Sequence, residues 1–204
     1  MDLEYLRELF VACLEAEYIH VENDGSYSFV RDGDVLYLFF EKSNGKTDWW
    51  NNLSYRAVPR GRKGDNWFCH EGFLRVFNSI LPYIDGMISS NAVRKIITVG
   101  YSHGAAIALL CHEYIRYKRP DIRNSTEGYG FGCPRVVFGS VPGEKLRWAG
   151  FYTIRNLDDI VTHLPPAVTG YRHKGKMLEI GDAGKYSRID AHRPESYLAQ
   201  LKRE

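Results

Sequence analysis

Residues 95–118 read KIITVGYSHGAAIALLCHEYIRYK, a β-branched strand, a Gly-x-Ser-x-Gly turn and a helix with no linker between them. A strand that passes through so tight a turn into a helix belongs to a βα unit, and βα units build parallel sheets covered by helices. The serine in this turn, Ser102, lies where strand gives way to helix, the context that exposes a nucleophilic hydroxyl at a sheet edge. Gly100 and Gly104 leave out side chains that would collide with the neighbouring strand and helix, and Ala105 and Ala106 let the helix lie close on the sheet. A tight βα turn that happens to contain serine is the competing reading.

The rest of the chain alternates in the same way. Residues 3–18 predict an amphipathic helix with Leu3, Leu6, Phe10 and Leu14 on one face. YSFV and DVLYLFFEK predict two strands joined at Asp32-Gly33, the second apolar enough for a buried central position. Residues 44–68 read as irregular. HEGFLRVFNSILPYIDGMI predicts a helix broken or restarted at Pro82. EGYGFG, FYTIRN and KMLEI predict later strands, SVPGEKLRWAG a short helix, and 192–203 a terminal helix. The fold class that follows is α/β, a mostly parallel central sheet with helices on both faces, in a single domain over residues 1–204.

With 204 residues, 44% of them hydrophobic, the chain can bury one sizeable core. A formal net charge of +2 argues against a nucleic-acid partner, which calls for clustered excess basic charge. The N-terminal stretch lacks a signal-peptide layout, and no apolar run approaches the roughly 20 residues that span a bilayer. Cys13, Cys69, Cys111 and Cys133 form no C-x-x-C pair and read as buried thiols. These features together predict a cytoplasmic protein, with the sequons at Asn52 and Asn124 unused.

A serine nucleophile needs a base and a carboxylate to orient it, in the chain order Ser, acid, His for α/β-hydrolases. The histidines after Ser102 are His103, His112, His163, His173 and His192. His103 leaves the turn on another side, and HEYIR at His112 lacks the second histidine of a zinc motif. His192, in a loop entering the last helix, is placed as a base should be. Asp158 and Asp159 follow a predicted strand, and local patterning leaves both open as the acid, beside a plain turn role.

Several blocks, in order, resemble the class 3 lipases, the fungal-type triacylglycerol lipase family: LYLFFEKSNGKTDWWNNL, CHEGFL, TVGYSHGAAIALL, GYGFGCPRVV, RNLDDIVTHLPP, YRHKGKMLEI and AHRPESYL. The likeness covers about residues 35–200. It implies an α/β-hydrolase fold and Ser102 as nucleophile, Asp159 as acid and His192 as base, since Ile-Val-x-x-Leu-Pro-Pro follows Asp159. It implies an oxyanion hole from Ser43 and the N–H of His103, structural roles for His70 and His173, and no metal or organic cofactor. The implied partner is a lipid or small-molecule ester, with a transient lipid-surface contact; no oligomeric state is implied.

The chain departs from the family pattern. Phe40-Glu41-Lys42-Ser43 stands for Phe-Arg-Gly-Ser, losing a glycine and reversing the sign of an arginine. Tyr101 and His103 replace the usual His and Leu around the serine and read as peripheral to the chemistry. In the family residues 44–68 bear a lid. Here Trp49, Trp50 and Tyr55 would cover the acyl pocket and Arg56, Arg60, Arg62 and Lys63 would face an anionic surface. The competing reading puts the tryptophans in the core and the charges in water. A non-catalytic lipid-binding relative and an acyltransferase with the same triad are the alternatives to an ester hydrolase.

Overall fold

A computed structural model describes residues 1–23, 25–42, 55–60 and 67–202. Ser43, Trp49, Trp50, Arg62 and Lys63 lie outside the described residues. Helix α1 (Leu3–Glu15) leads into β1 (Ile19–Val21), β2 (Gly25–Asp32) and β3 (Val35–Phe40). Short strands β4 (Ala57–Pro59) and β5 (Phe68–His70) precede α2 (Glu71–Ser89), β6 (Lys95–Tyr101) and α3 (His103–Lys118). Then come β7 (Thr126–Phe131), β8 (Val137–Phe138), α4 (Glu144–Arg147), β9 (Phe151–Asn156), β10 (Tyr171–Arg172), β11 (Lys176–Ile180) and α5 (Pro194–Gln200).

Among the described residues the main sheet has the order β1-β2-β3-β6-β7-β9-β11. The β1–β2 and β2–β3 pairs are antiparallel, and every later pair is parallel. Parallel pairing demands crossovers, and α2 and α3 make the first two on one face while α1 and α5 cover the other. Alternation along β6 divides the core. Ile96 joins the α2–α3 cluster, and Ile97, Val99 and Tyr101 join the α1–α5 cluster.

The close seat of α3 has a direct steric basis. A Cβ on Gly104 would run into the Phe40 carbonyl at the end of β3, and one on Gly100 into the backbone of Gly104 itself. On the sheet side, Gly128 and Gly130 leave room for Phe151, and a Cβ at Gly130 would come within 3.3 Å of the Ala105 methyl.

Two sequence expectations change. Helix α2 runs unbroken through Pro82. The proline is exposed, so the carbonyl it frees meets water, while Phe73, Phe77, Ile80, Ile84 and Ile88 hold one buried stripe across it. A second, four-stranded sheet, β10-β8-β5-β4, was not anticipated. Its strands are two or three residues long, too short to show a period.

Candidate active site

The carboxyl ends of the central parallel strands converge on one place, where ligands bind in open α/β sheets. Ser102 follows β6 directly and caps α3. Its backbone sits at φ 57°, ψ −120°, a conformation that side chains other than glycine rarely adopt. Its N–H donates to the Phe131 carbonyl at 2.8 Å, extending the β6–β7 ladder one residue into the turn. The sheet and helix thus hold the serine in a strained elbow.

Asp159 comes three residues after β9 and is fully buried. His192 ends a single helical turn just before α5. Ser102 Oγ donates to His192 Nε2 at 2.8 Å, and His192 Nδ1 donates to Asp159 Oδ2 at 2.8 Å. Asp159 also accepts from the Tyr197 hydroxyl at 2.6 Å and, through Oδ1, from the Val161 N–H at 2.8 Å. Asp158, the alternative acid, turns away to accept from the Gly184 N–H.

Residues not singled out in the sequence complete the arrangement. Asn156 Nδ2 donates to the Ala191 carbonyl at 2.9 Å and ties the histidine turn to β9. Gly132 has φ +59°, and a Cβ there would sit 2.9 Å from His192 Cε1 and 3.0 Å from Asp159 Oδ2. A glycine closing the predicted strand EGYGFG was the available signal. Tyr101, expected to be peripheral, is a correction: its ring stacks on the His192 imidazole at 5.1 Å. Strand parity at the end of β6 turns it to that side.

The other expected residues are scattered in role. His103 opens α3, and its ring lies 5.5 Å from that of Phe73. Tyr55 is exposed and accepts the Tyr171 hydroxyl bond on its carbonyl. Arg60 corrects the surface reading of the basic run: it is buried, 3.9 Å from Glu113 and over the Phe77 ring. The Glu113 carboxylate and the Phe77 face offset part of the cost of burying the guanidinium. Arg56 pairs with Glu71 at 3.3 Å. Among the described residues no group of three or more His, Cys, Asp or Glu could hold a metal ion. No described helix is long and apolar enough to cross a membrane.

His70 and His112 are structural. Nδ1 of His70 accepts the Gly72 N–H and caps α2; Nε2 of His112 donates to the Ala149 carbonyl. Burial pushes both down to about 4. A histidine that stays neutral in the fold takes its proton first in the unfolded chain, so stability is full above pH ~6.5 and is lost as pH falls toward 4. Each contributes a slope of up to about 1.4 kcal/mol per pH unit in that window. Urea midpoints between pH 7.5 and 4.5 measure it. His70→Asn, a non-titrating cap, is expected to flatten the slope, and an unchanged slope refutes the assignment to His70.

The sheet order, its crossovers and the strand–serine–helix turn define an α/β-hydrolase. Within that class the chain belongs to the class 3 lipases, whose family model matches residues 37–169. It is 30% identical over 132 residues to a secreted mono- and diacylglycerol lipase of Malassezia globosa, covering 61% of this chain and 41% of that one. A lipase of Rhizomucor miehei is 29% identical over 160 residues, covering 72% and 42%. The chain spans about two fifths of the length of these curated relatives. Among solved structures, a fungal lipase–inhibitor complex superposes with TM-score 0.73 at 19% identity, covering 98% of this chain and 96% of that one. A triacylglycerol lipase described as having a serine protease triad at its catalytic centre gives 0.70 at 22%, covering 88% and 79%.

The comparisons overturn the cytoplasmic expectation. The relatives from Malassezia globosa and Fusarium solani are described as secreted. Four buried, free cysteines do not decide between compartments, because a thiol inside a packed core meets neither oxidant nor reductant. The reading of the sequons as unused rested on the same ground and goes with it.

Proposed function

We propose that the protein hydrolyses carboxylic esters, acylglycerols or other lipid esters, through an acyl-enzyme on Ser102. The observation that carries this reading is the continuous hydrogen-bonded chain from Ser102 Oγ through His192 to the buried Asp159. Family membership and relatives described as mono- and diacylglycerol lipases support it.

In this mechanism Ser102 Oγ attacks the ester carbonyl as His192 Nε2 takes its proton. Asp159 holds the imidazole in the tautomer with Nδ1 protonated and stabilises the imidazolium. The N–H groups of Ser43 and His103 receive the oxyanion, the latter from the first turn of α3 at its positive dipole end. The imidazolium returns its proton to the leaving alcohol. Water then attacks the acyl-enzyme with His192 again as base, releasing the acid and free Ser102. The steps draw on protein groups and one water. The catalytic unit is read as one domain over 1–204, because the base comes from the segment before α5 and the nucleophile from β6.

A chain-length series of chromogenic esters, run beside mono- and diacylglycerol emulsions, tests the substrate class. Hydrolysis that rises with acyl length and extends to the emulsions is the expected result. Turnover of short soluble esters alone makes the protein an esterase, and binding without turnover makes it a lipid-binding relative. Acyl transfer to an added alcohol in preference to water would identify an acyltransferase.

A further inference from the structure

Tyr101 is the last residue of β6, immediately before Ser102, and is 4% exposed. It touches one residue twice. Its ring lies against the imidazole of His192, with centroids 5.1 Å apart and planes 26° from parallel. Its hydroxyl donates to the backbone carbonyl of the same histidine. The phenol is held from behind by Phe10 of α1, edge-on at 5.3 Å, and by Tyr197 of α5 at 6.0 Å.

We infer that Tyr101 is a positioning residue for His192, fixing the ring by stacking and the backbone by its hydroxyl, so that Nε2 stays aimed at the attacking oxygen, of Ser102 in acylation and of water in deacylation. The inference rests on the reading of His192 as the general base. The physical need is specific. His192 sits on a single helical turn, and a turn that short does not by itself fix a side chain. The hydrogen bonds at Nδ1 and Nε2 lie in the plane of the imidazole, so they resist a swing of the ring out of that plane only weakly. A phenol across one face stops the swing, and the hydroxyl–carbonyl bond stops the turn that carries the ring from sliding. The stacked face also places π density beside the imidazolium that forms as Ser102 attacks, a favourable contact in a desolvated site.

A tyrosine that merely filled the core would tolerate loss of its hydroxyl, and this separates the two roles. Tyr101→Phe keeps the ring and loses the bond to the His192 carbonyl; Tyr101→Leu loses both. The measurements are kcat and KM on a soluble short-chain ester, with active sites counted by a fluorophosphonate and melting temperature followed alongside. Per titrated site, kcat is expected to fall about 3–10-fold in Tyr101→Phe and about 30–100-fold in Tyr101→Leu, with KM within about twofold. A wild-type rate per titrated site in Tyr101→Phe overturns the inference, whatever Tyr101→Leu does. So does a loss explained wholly by fewer titratable sites. If the wild-type protein is not labelled at Ser102, the reading of the base fails first and takes this inference with it; labelling with unchanged variants removes the inference alone.

Discussion

Ser102→Ala is expected to abolish labelling by a fluorophosphonate and to lower kcat/KM by at least about 10⁴-fold. The rest of the site does not replace the hydroxyl, because Nε2 of His192 is aimed at Ser102 Oγ. The variant should fold, because Ala keeps the Ser102 N–H that donates to Phe131 and adds no atom. It keeps the positive φ as well. Ser102→Gly should therefore melt above Ser102→Ala, by up to about 1–3 kcal/mol of released backbone strain. Labelling at another serine, or a glycine variant no more stable than the alanine one, contradicts the elbow described above.

The second large effect belongs to Asp159. Asp159→Asn should lower kcat by roughly 10²–10⁴, since an amide can hold the imidazole in the wrong tautomer and cannot balance an imidazolium. Asp158→Asn should cost little, because its carboxylate is engaged with the Gly184 N–H away from His192. Melting temperature separates catalysis from folding here. The buried amide loses the charge that Tyr197 and Val161 now solvate, so a modest drop is expected alongside full binding of a neutral ester analogue. Equal losses at the two positions would sink the assignment of Asp159.

Much of this arrangement was legible in the sequence because its parts are local. The strand–serine–helix run specifies the elbow, since strand period, glycine spacing and alanines all lie within one window. FYTIRN and KMLEI coincide with β9 and β11 for the same reason. The acid was harder. Asp158 and Asp159 are equal as local turn residues, and family likeness favoured Asp159 before the geometry separated them. What stayed hidden depends on contacts distant in the chain. Tyr101 meets His192 across 91 positions, and Tyr197 meets Asp159 across 38. Arg60 looked like one more cation in a basic run, and its burial follows from Glu113 and Phe77, which no local window shows beside it. Pro82 was misread for the opposite reason: a breaker rule was applied without the buried stripe that carries α2 past it.

Helix α1 and the segment around α5 fall outside residues 37–169, the part of the chain shared most plainly with other class 3 lipases. That shared stretch holds Ser102 and Asp159 but not His192, nor Phe10 and Tyr197, which pack against Tyr101. The three residues of the proposed triad are thus divided between a stretch the family model matches and a flank it does not reach. Variation among relatives has two different consequences on this division. Changes in the matched stretch alter whether a serine can be presented at all. Changes in the flanks alter the turn that carries His192 and the packing behind Tyr101, and are expected to let turnover drift between family members while the nucleophile motif reads the same.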